Sequence, residues 1–174
     1  MVERGVNTPL TSSMGRLFDS VAAIVGVRDD ARYEGEAAIE LEAAADIGAD
    51  GSYKFALRLA ERPVDAVLID PGPVLAAILG DVADGIPVGV ISMRFHRAVV
   101  RCIIDSASAV AGRADTSLVA LGGGVFANRL VLGGAVRDLT AAGLEPLTHV
   151  RLPANDGAIS YGQAVVAWAR RHEI

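Results

Sequence analysis

The stretch Ser117-Leu118-Val119-Ala120-Leu121-Gly122-Gly123-Gly124-Val125-Phe126-Ala127-Asn128-Arg129 carries an apolar run of β-formers, a run of glycines and the start of a helical period, in that order. Ser117 to Leu121 predicts a buried strand, the glycines a tight turn, and Phe126 to Ala142 a helix that Gly143 ends. Further on, Leu144 to Val150 reads as a second short strand, Pro153-Ala154-Asn155-Asp156-Gly157 as a loop and Ala158 to Arg171 as a closing helix. Strand, glycine turn, helix, strand, loop, helix is the order of a right-handed α/β crossover, which gathers its ligand loops at one end of the sheet.

Toward the N-terminus, Thr11-Ser12-Ser13 suits the start of a helix over Gly15 to Val27, with Leu17, Val21, Ile24 and Val25 at helical spacing. A charged turn, Arg28 to Arg32, leads to a second helix over Glu34 to Asp46, with Ile39 and Leu41 as its large apolar anchors. Tyr53 to Leu59 alternates with period two and, with Ala66 to Ile69 beyond Glu61-Arg62-Pro63, reads as a hairpin. Asp70-Pro71-Gly72-Pro73 opens a helix ending near Gly80. A long helix from Val88 to Ala111 carries an apolar stripe of Val90, Met93, Val99, Ile103, Ile104 and Val110, with Arg94, Arg97 and Arg101 opposite.

Composition bounds the function. The 174 residues suit one domain, or part of a larger one, and 52% hydrophobic residues supply a core, which excludes a disordered chain. Sixteen Lys and Arg against 21 Asp and Glu leave a net charge of -5, the wrong sign for a broad phosphate-binding face, so no nucleic acid is expected as a partner. Lys54 is the only lysine, and no chemistry is read from that. Cys102 is the only cysteine, so no internal disulfide or CxxC zinc site can form, which fits a reducing compartment. The mean hydropathy is +0.40, yet no apolar run approaches the ~20 residues of a membrane span, and Met1 to Gly5 lacks the order of a signal peptide. A cytoplasmic protein with no membrane partner is expected.

Several residues could carry chemistry. The glycine turn lets a ligand approach the backbone, and a following helix N-terminus favours an anion; close packing alone would also explain the glycines. Asn128 could donate to and accept from a base or ribose. Asp156 reads as a helix cap or as a metal ligand. Asp19 reads as a surface aspartate or a ribose contact, and Glu34 and Glu36 around Gly35 as a solvated helix start or a ligand contact. His96, between arginines, reads as a solvated side chain, Cys102 as a core thiol. The three histidines form no HxxxH or HxxH pair, and there is no GxSxG elbow.

Asn7-Thr8-Pro9-Leu10-Thr11-Ser12-Ser13-Met14-Gly15-Arg16-Leu17-Phe18-Asp19, Tyr33-Glu34-Gly35-Glu36-Ala37-Ala38, Phe95-His96, Gly123 to Arg129 and Pro153 to Gly157 resemble, in order, the C-terminal part of the hydrogenase maturation carbamoyltransferase family HypF. The first two strings are specific to that family. The glycine turn and the last aspartate are shared with TsaD-like threonylcarbamoyltransferases and O-carbamoyltransferases.

The resemblance implies an α/β fold, the later lobe of an actin-like ATPase (RNase H-like) domain with a mixed sheet flanked by helices. Residues 1–174 would then be the C-terminal part of the transferase domain, without its upstream lobe and domains. It also implies carbamoyl transfer from carbamoyl-adenylate, made from carbamoyl phosphate and ATP, to the C-terminal cysteine of HypE. By motif, Asp19, Glu36, Gly123, Gly124 and Asn128 would bind nucleotide and Asp156 would ligate iron or zinc, while the catalytic residues stay unassigned. Glu36 stands where TsaD-like relatives carry a substrate-binding glycine. The family's HxxxH motif belongs to the upstream lobe, so these residues alone are expected to hold metal weakly and not to turn over. HypE and the remainder of HypF are the implied partners, and a lobe face uncovered in this chain could pair two copies as a homodimer. A TsaD-like transferase and a non-catalytic nucleotide or HypE docking module are the rival readings; whether the chain is a fragment, a split gene or a standalone protein stays open.

Overall fold

The computed structural model describes residues 4, 8, 10–59 and 67–171. Asn7 and Pro9 of the first motif, the Glu61-Arg62-Pro63 turn, Ala66 and His172 lie outside the described residues. The order is α1 (Met14–Ile24), α2 (Glu36–Ala43), β1 (Ala56–Leu59), β2 (Val67–Asp70), α3 (Gly72–Ala83), α4 (Val88–Ala114), β3 (Leu118–Ala120), a 3-10 turn (Gly124–Ala127), α5 (Arg129–Ala141), β4 (Glu145–Leu147), a 3-10 turn (Asp156–Ala158) and α6 (Ile159–Arg171).

Local chemistry sets the element ends. Ser13 caps α1 by accepting from the Arg16 N–H. Gly35, at φ 82, places a left-handed residue before α2, so that helix starts at Glu36 rather than Glu34. Ile39, expected as an anchor, is 54% exposed, whereas Leu41 is fully buried. Pro87 precedes α4, which runs 27 residues to a left-handed Asp115.

Helix α4 is the spine. Its Ile91, Phe95, Val99 and Cys102 join Phe18, Val21, Leu41, Val74, Ile78 and Val131 in one buried cluster, with Phe18 edge-on to Phe95 at 4.8 Å between ring centres. A second cluster joins Val100 and Ile104 to Leu121, Ala135 and Leu139. Its end is wetter than expected, Val110 being 48% exposed. The arginines do lie off the core, and two of them bind other elements. Arg94 pairs with Asp81 at 2.7 Å, and the Tyr53 hydroxyl donates to the same carboxylate at 2.6 Å. Arg97 donates to the carbonyls of Ala49, Gly51 and Ile47, pinning that loop to the helix.

The hairpin forms as expected, β1 running antiparallel to β2 with Ala56 opposite Asp70 and Leu59 opposite Val67. Strands β3 and β4 are parallel, Leu118 opposite Glu145 and Ala120 opposite Leu147, and α5 crosses between them. The mixed α/β class therefore holds, while the buried strand does not. Leu118 is 51% exposed and Leu147 46%, because among the described residues the parallel sheet has two strands and no layer over its far face. Helix α6 contributes no buried residue. No helix among the described residues is long and apolar enough to cross a membrane.

Helices α4 and α5 meet at Gly134, where an added Cβ would lie 2.7 Å from a methyl of Val100. Gly133 beside it has open space. Gly134→Ala is expected to cost about 1–3 kcal/mol by overpacking. Gly133→Ala is expected to be neutral or to stabilise by up to about 1 kcal/mol through helix propensity. Urea denaturation of both variants checks the contrast.

Candidate functional site

The glycine turn and the Pro153–Gly157 loop both leave the C-terminal ends of parallel strands, the end at which open α/β sheets receive ligands. One hydrogen bond joins them, from the Gly123 N–H to the Ala154 carbonyl at 2.7 Å. Gly123 sits at φ 102, a conformation that a side chain would strain, while Gly124 has an ordinary φ and open space where a Cβ would point. Gly122, Gly123 and Gly124 are all exposed. Gly124 and Val125 open the 3-10 turn, so their N–H groups have no acceptor within it.

The helix begins later than the spacing predicts. Phe126 belongs to the 3-10 turn, and Asn128 is extended at φ -71 and ψ 118 before α5 starts at Arg129. Asn128 is the N-cap. Its Oδ1 accepts from the Val131 N–H at 3.0 Å, and the Glu42 carboxylate accepts from the Arg129 N–H at 2.8 Å. The first amides of α5 are thus partly occupied by protein oxygens, which corrects the expectation of an open helix N-terminus. What remains open to an anion is the glycine turn in front of it.

Asn128 is nearly buried, and its Nδ2 lies 2.9 Å from Nε2 of His96. The solvated reading of His96 is incorrect: the side chain is fully buried, Phe18 packing edge-on against its ring at 5.3 Å. Its Nδ1 lies 2.8 Å from the Ser92 carbonyl, which can only accept, so Nδ1 carries the proton and Nε2 accepts from Asn128. Ser92 in turn donates to the Leu41 carbonyl of α2 at 2.5 Å. Burial pushes the imidazole below its usual range, consistent with a neutral ring. The sequence did contain the signal. Ser92, Phe95, His96 and Val99 recur at i, i+3, i+4 and i+7, the buried face of α4, although arginines stand close on either side of the histidine in sequence. Ser92 and Glu42, also not singled out from the sequence, serve the same turn.

The other expected site residues are more scattered. Asp19 is partly exposed on α1 and pairs with Arg16 at 3.4 Å. Glu36 is buried, and its carboxylate accepts from the Arg32 N–H at 2.6 Å with the Arg28 guanidinium 3.6 Å away. The turn before α2 is thereby folded onto its own carboxylate. Asp156 is exposed and is not the cap; Asn155 is, its Oδ1 accepting from the Gly157 N–H. Among the described residues no three His, Cys, Asp or Glu side chains come together, so Asp156 does not by itself make a metal site. Cys102 is a buried thiol, its pKa raised by burial, and is unsuited to act as a nucleophile.

Residues 1–163 match the family model described as "Carbamoyltransferase, Kae1-like Domain, second subdomain". The carbamoyltransferase HypF of Rhizobium leguminosarum bv. viciae is 38% identical over 177 residues, covering 96% of this chain and 21% of the relative. That of Synechocystis is 37% identical over 172 residues, covering 99% and 21%. Among solved structures, full-length HypF in its phosphate- and nucleotide-bound form matches with a TM-score of 0.86 at 37% identity, over 95% of this chain and 21% of that one. HypF from T. kodakarensis matches with a TM-score of 0.75 at 29% identity, over 94% and 21%. The chain spans about a fifth of the length of these relatives.

Asn128→Ala removes the cap and leaves His96 Nε2 buried without its donor. The expected loss is about 1–3 kcal/mol of stability. Thermal denaturation near pH 8 reads it.

Proposed function

Since the chain belongs to the HypF carbamoyltransferase family, as its Kae1-like second subdomain, we propose that it forms the nucleotide-holding half of a carbamoyl-transfer site. The observation that carries this reading is the bonded pair of loops at the C-terminal end of β3 and β4, Gly123 donating to Ala154. The fold would be the later lobe of an actin-like ATPase. The upstream lobe and the adenylate-forming domain would lie in polypeptide outside residues 1–174. The turn backbone at Gly123 and Gly124 receives the phosphate of ATP or carbamoyl-adenylate through the N–H groups of Gly124 and Val125, that of Gly123 being held by Ala154, while Asp19 reaches a ribose hydroxyl and Glu36 holds the turn before α2 in shape. Asn128 works from behind, fixing the turn rather than reaching past it.

The chemistry asks little of this half. A carbamoyl group joined to AMP as a mixed anhydride already has a good leaving group, so the attacking thiol and the anhydride need alignment and the developing oxyanion needs donors. Backbone N–H groups of the turn supply such donors without reorganising. The thiol comes from the C-terminal cysteine of HypE, which agrees with a buried Cys102. Iron or zinc, where bound, would supply Lewis-acid chemistry, but the donors here reach only Asp156. Its other ligands would belong to the remainder of HypF. The exposed Ile159, Tyr161, Val165 and Val166 of α6 suit a face that this remainder covers, or a homodimer when it is absent.

Calorimetry tests the reading. AMP and ATP are expected to bind the chain, and Gly124→Ala to weaken them about tenfold, roughly 1.4 kcal/mol, with denaturation midpoint unchanged, since the added methyl points into open space. Binding of a HypE tail peptide without nucleotide binding would instead support a docking module. The chain alone is expected to show no carbamoyl transfer to HypE and no tight iron or zinc; efficient turnover would overturn the division of the site between this half and the rest.

A further inference from the structure

The buried imidazole of His96 has no part in the chemistry just described, yet it is the side chain on which the cap of the glycine turn rests. We propose that His96 is a positioning residue for the nucleotide-binding turn and a proton-sensitive latch: neutral, it holds Asn128 and the turn in place, and protonated, it releases them. The inference rests on the nucleotide reading for its consequence but not for its geometry.

The geometry leaves the ring a single bonded form. Nδ1 faces the Ser92 carbonyl at 2.8 Å and Nε2 faces Asn128 Nδ2 at 2.9 Å. The Asn128 amide cannot flip to offer its oxygen to His96, because that oxygen already accepts the Val131 N–H at 3.0 Å. A proton added at Nε2 would therefore set two donors against each other in a buried site, and Asn128 would have to leave either the ring or the helix end. Phe18 of α1 and Phe95 of α4 present apolar rings, and Ser92 is turned to the Leu41 carbonyl of α2. Among the described residues, the titratable group bearing on His96 by charge is Glu42 of α2, whose pull toward protonation is weaker than the opposing effect of burial. Glu42 is also bonded to the Arg129 N–H, so it stays with the helix end when the latch opens.

The sign follows from the depressed folded-state pKa. Between that value and the ordinary histidine range near pH 6.5, the unfolded chain binds the proton and the folded chain does not, so stability is full above that range and declines as pH falls through it. The turn is released, and nucleotide affinity should fall, only as pH drops through the folded-state value itself, where the folded chain takes up the proton.

The test uses the 174-residue chain and two variants, His96→Gln, whose amide oxygen can still accept from Asn128, and His96→Leu, which cannot. In the wild type, imidazole nitrogen shifts are expected to show the Nδ1–H form alone at pH 7.5 and ionisation below 6.5. His96→Leu is expected to exchange the Val131 amide about tenfold faster, through local opening of the turn, and to bind AMP about tenfold more weakly. His96→Gln is expected to stay within about threefold of wild type in both and to lose the acid-side fall in AMP affinity. If neither variant folds, the wild-type titration decides alone. A mixed tautomer, ionisation at or above 6.5, or a His96→Leu turn as protected as wild type would overturn the latch. Wild-type chain that binds no AMP but shows the exchange pattern would instead refute the nucleotide reading and leave the latch standing.

Discussion

The structure hangs on the seam between α4 and α5, and within it on the hydrogen bond from Asn128 to His96. Gly134 lets the two helices close to contact, and the buried imidazole fixes where along α4 the first turn of α5 must sit. The position of the glycine turn follows, because only the seven residues 121–127 lie between β3 and that cap, the last four of them the 3-10 turn. Ser92 extends the same constraint to α2, and Phe18 extends it to α1. A single buried polar chain thus sets three helices and one loop in register. Each group in it has a partner, which is the condition under which buried polarity specifies a fold rather than weakening it.

Placement at the strand ends then does the rest. The parallel pair β3 and β4 delivers two loops to the same side, and one backbone hydrogen bond joins them. An open site suits the proposal that the chain presents half of it. Leu118 and Leu147 are exposed on the sheet and α6 has no buried residue, which suits the proposed partner surface. This agrees with relatives of which the chain spans about a fifth.

Much of this was legible in the sequence. The crossover, the hairpin, the long helix and the glycine turn follow from periodicity and punctuation, which are local properties. What escaped was non-local. His96 stands between Phe95 and Arg97, and only the packing of α1 and α5 on α4 decides that it is buried. Asn128 carries an ambiguous signal, since the same carboxamide that could meet a ribose also makes a good cap, and the cap requires the helix to start at Arg129, three residues later than its period suggests. Asp156 and Asn155 are neighbours with equal capping chemistry, and the loop geometry selected Asn155. The strand β3 reads as buried because its residues are apolar, but burial depends on a second layer that its own sequence cannot reveal. The HypF resemblance is carried by ordered motifs, all of which lie within the matched residues 1–163.

The joined loops at the ends of β3 and β4 are where nucleotide is proposed to be held. Amide chemical-shift mapping of the chain titrated with AMP addresses that placement directly. Saturable shifts concentrated in residues 122–128 and 154–157, with smaller ones at Asp19, are expected. Saturable shifts centred on the β1–β2 hairpin or on α3, or no shifts at all at millimolar AMP, would contradict it.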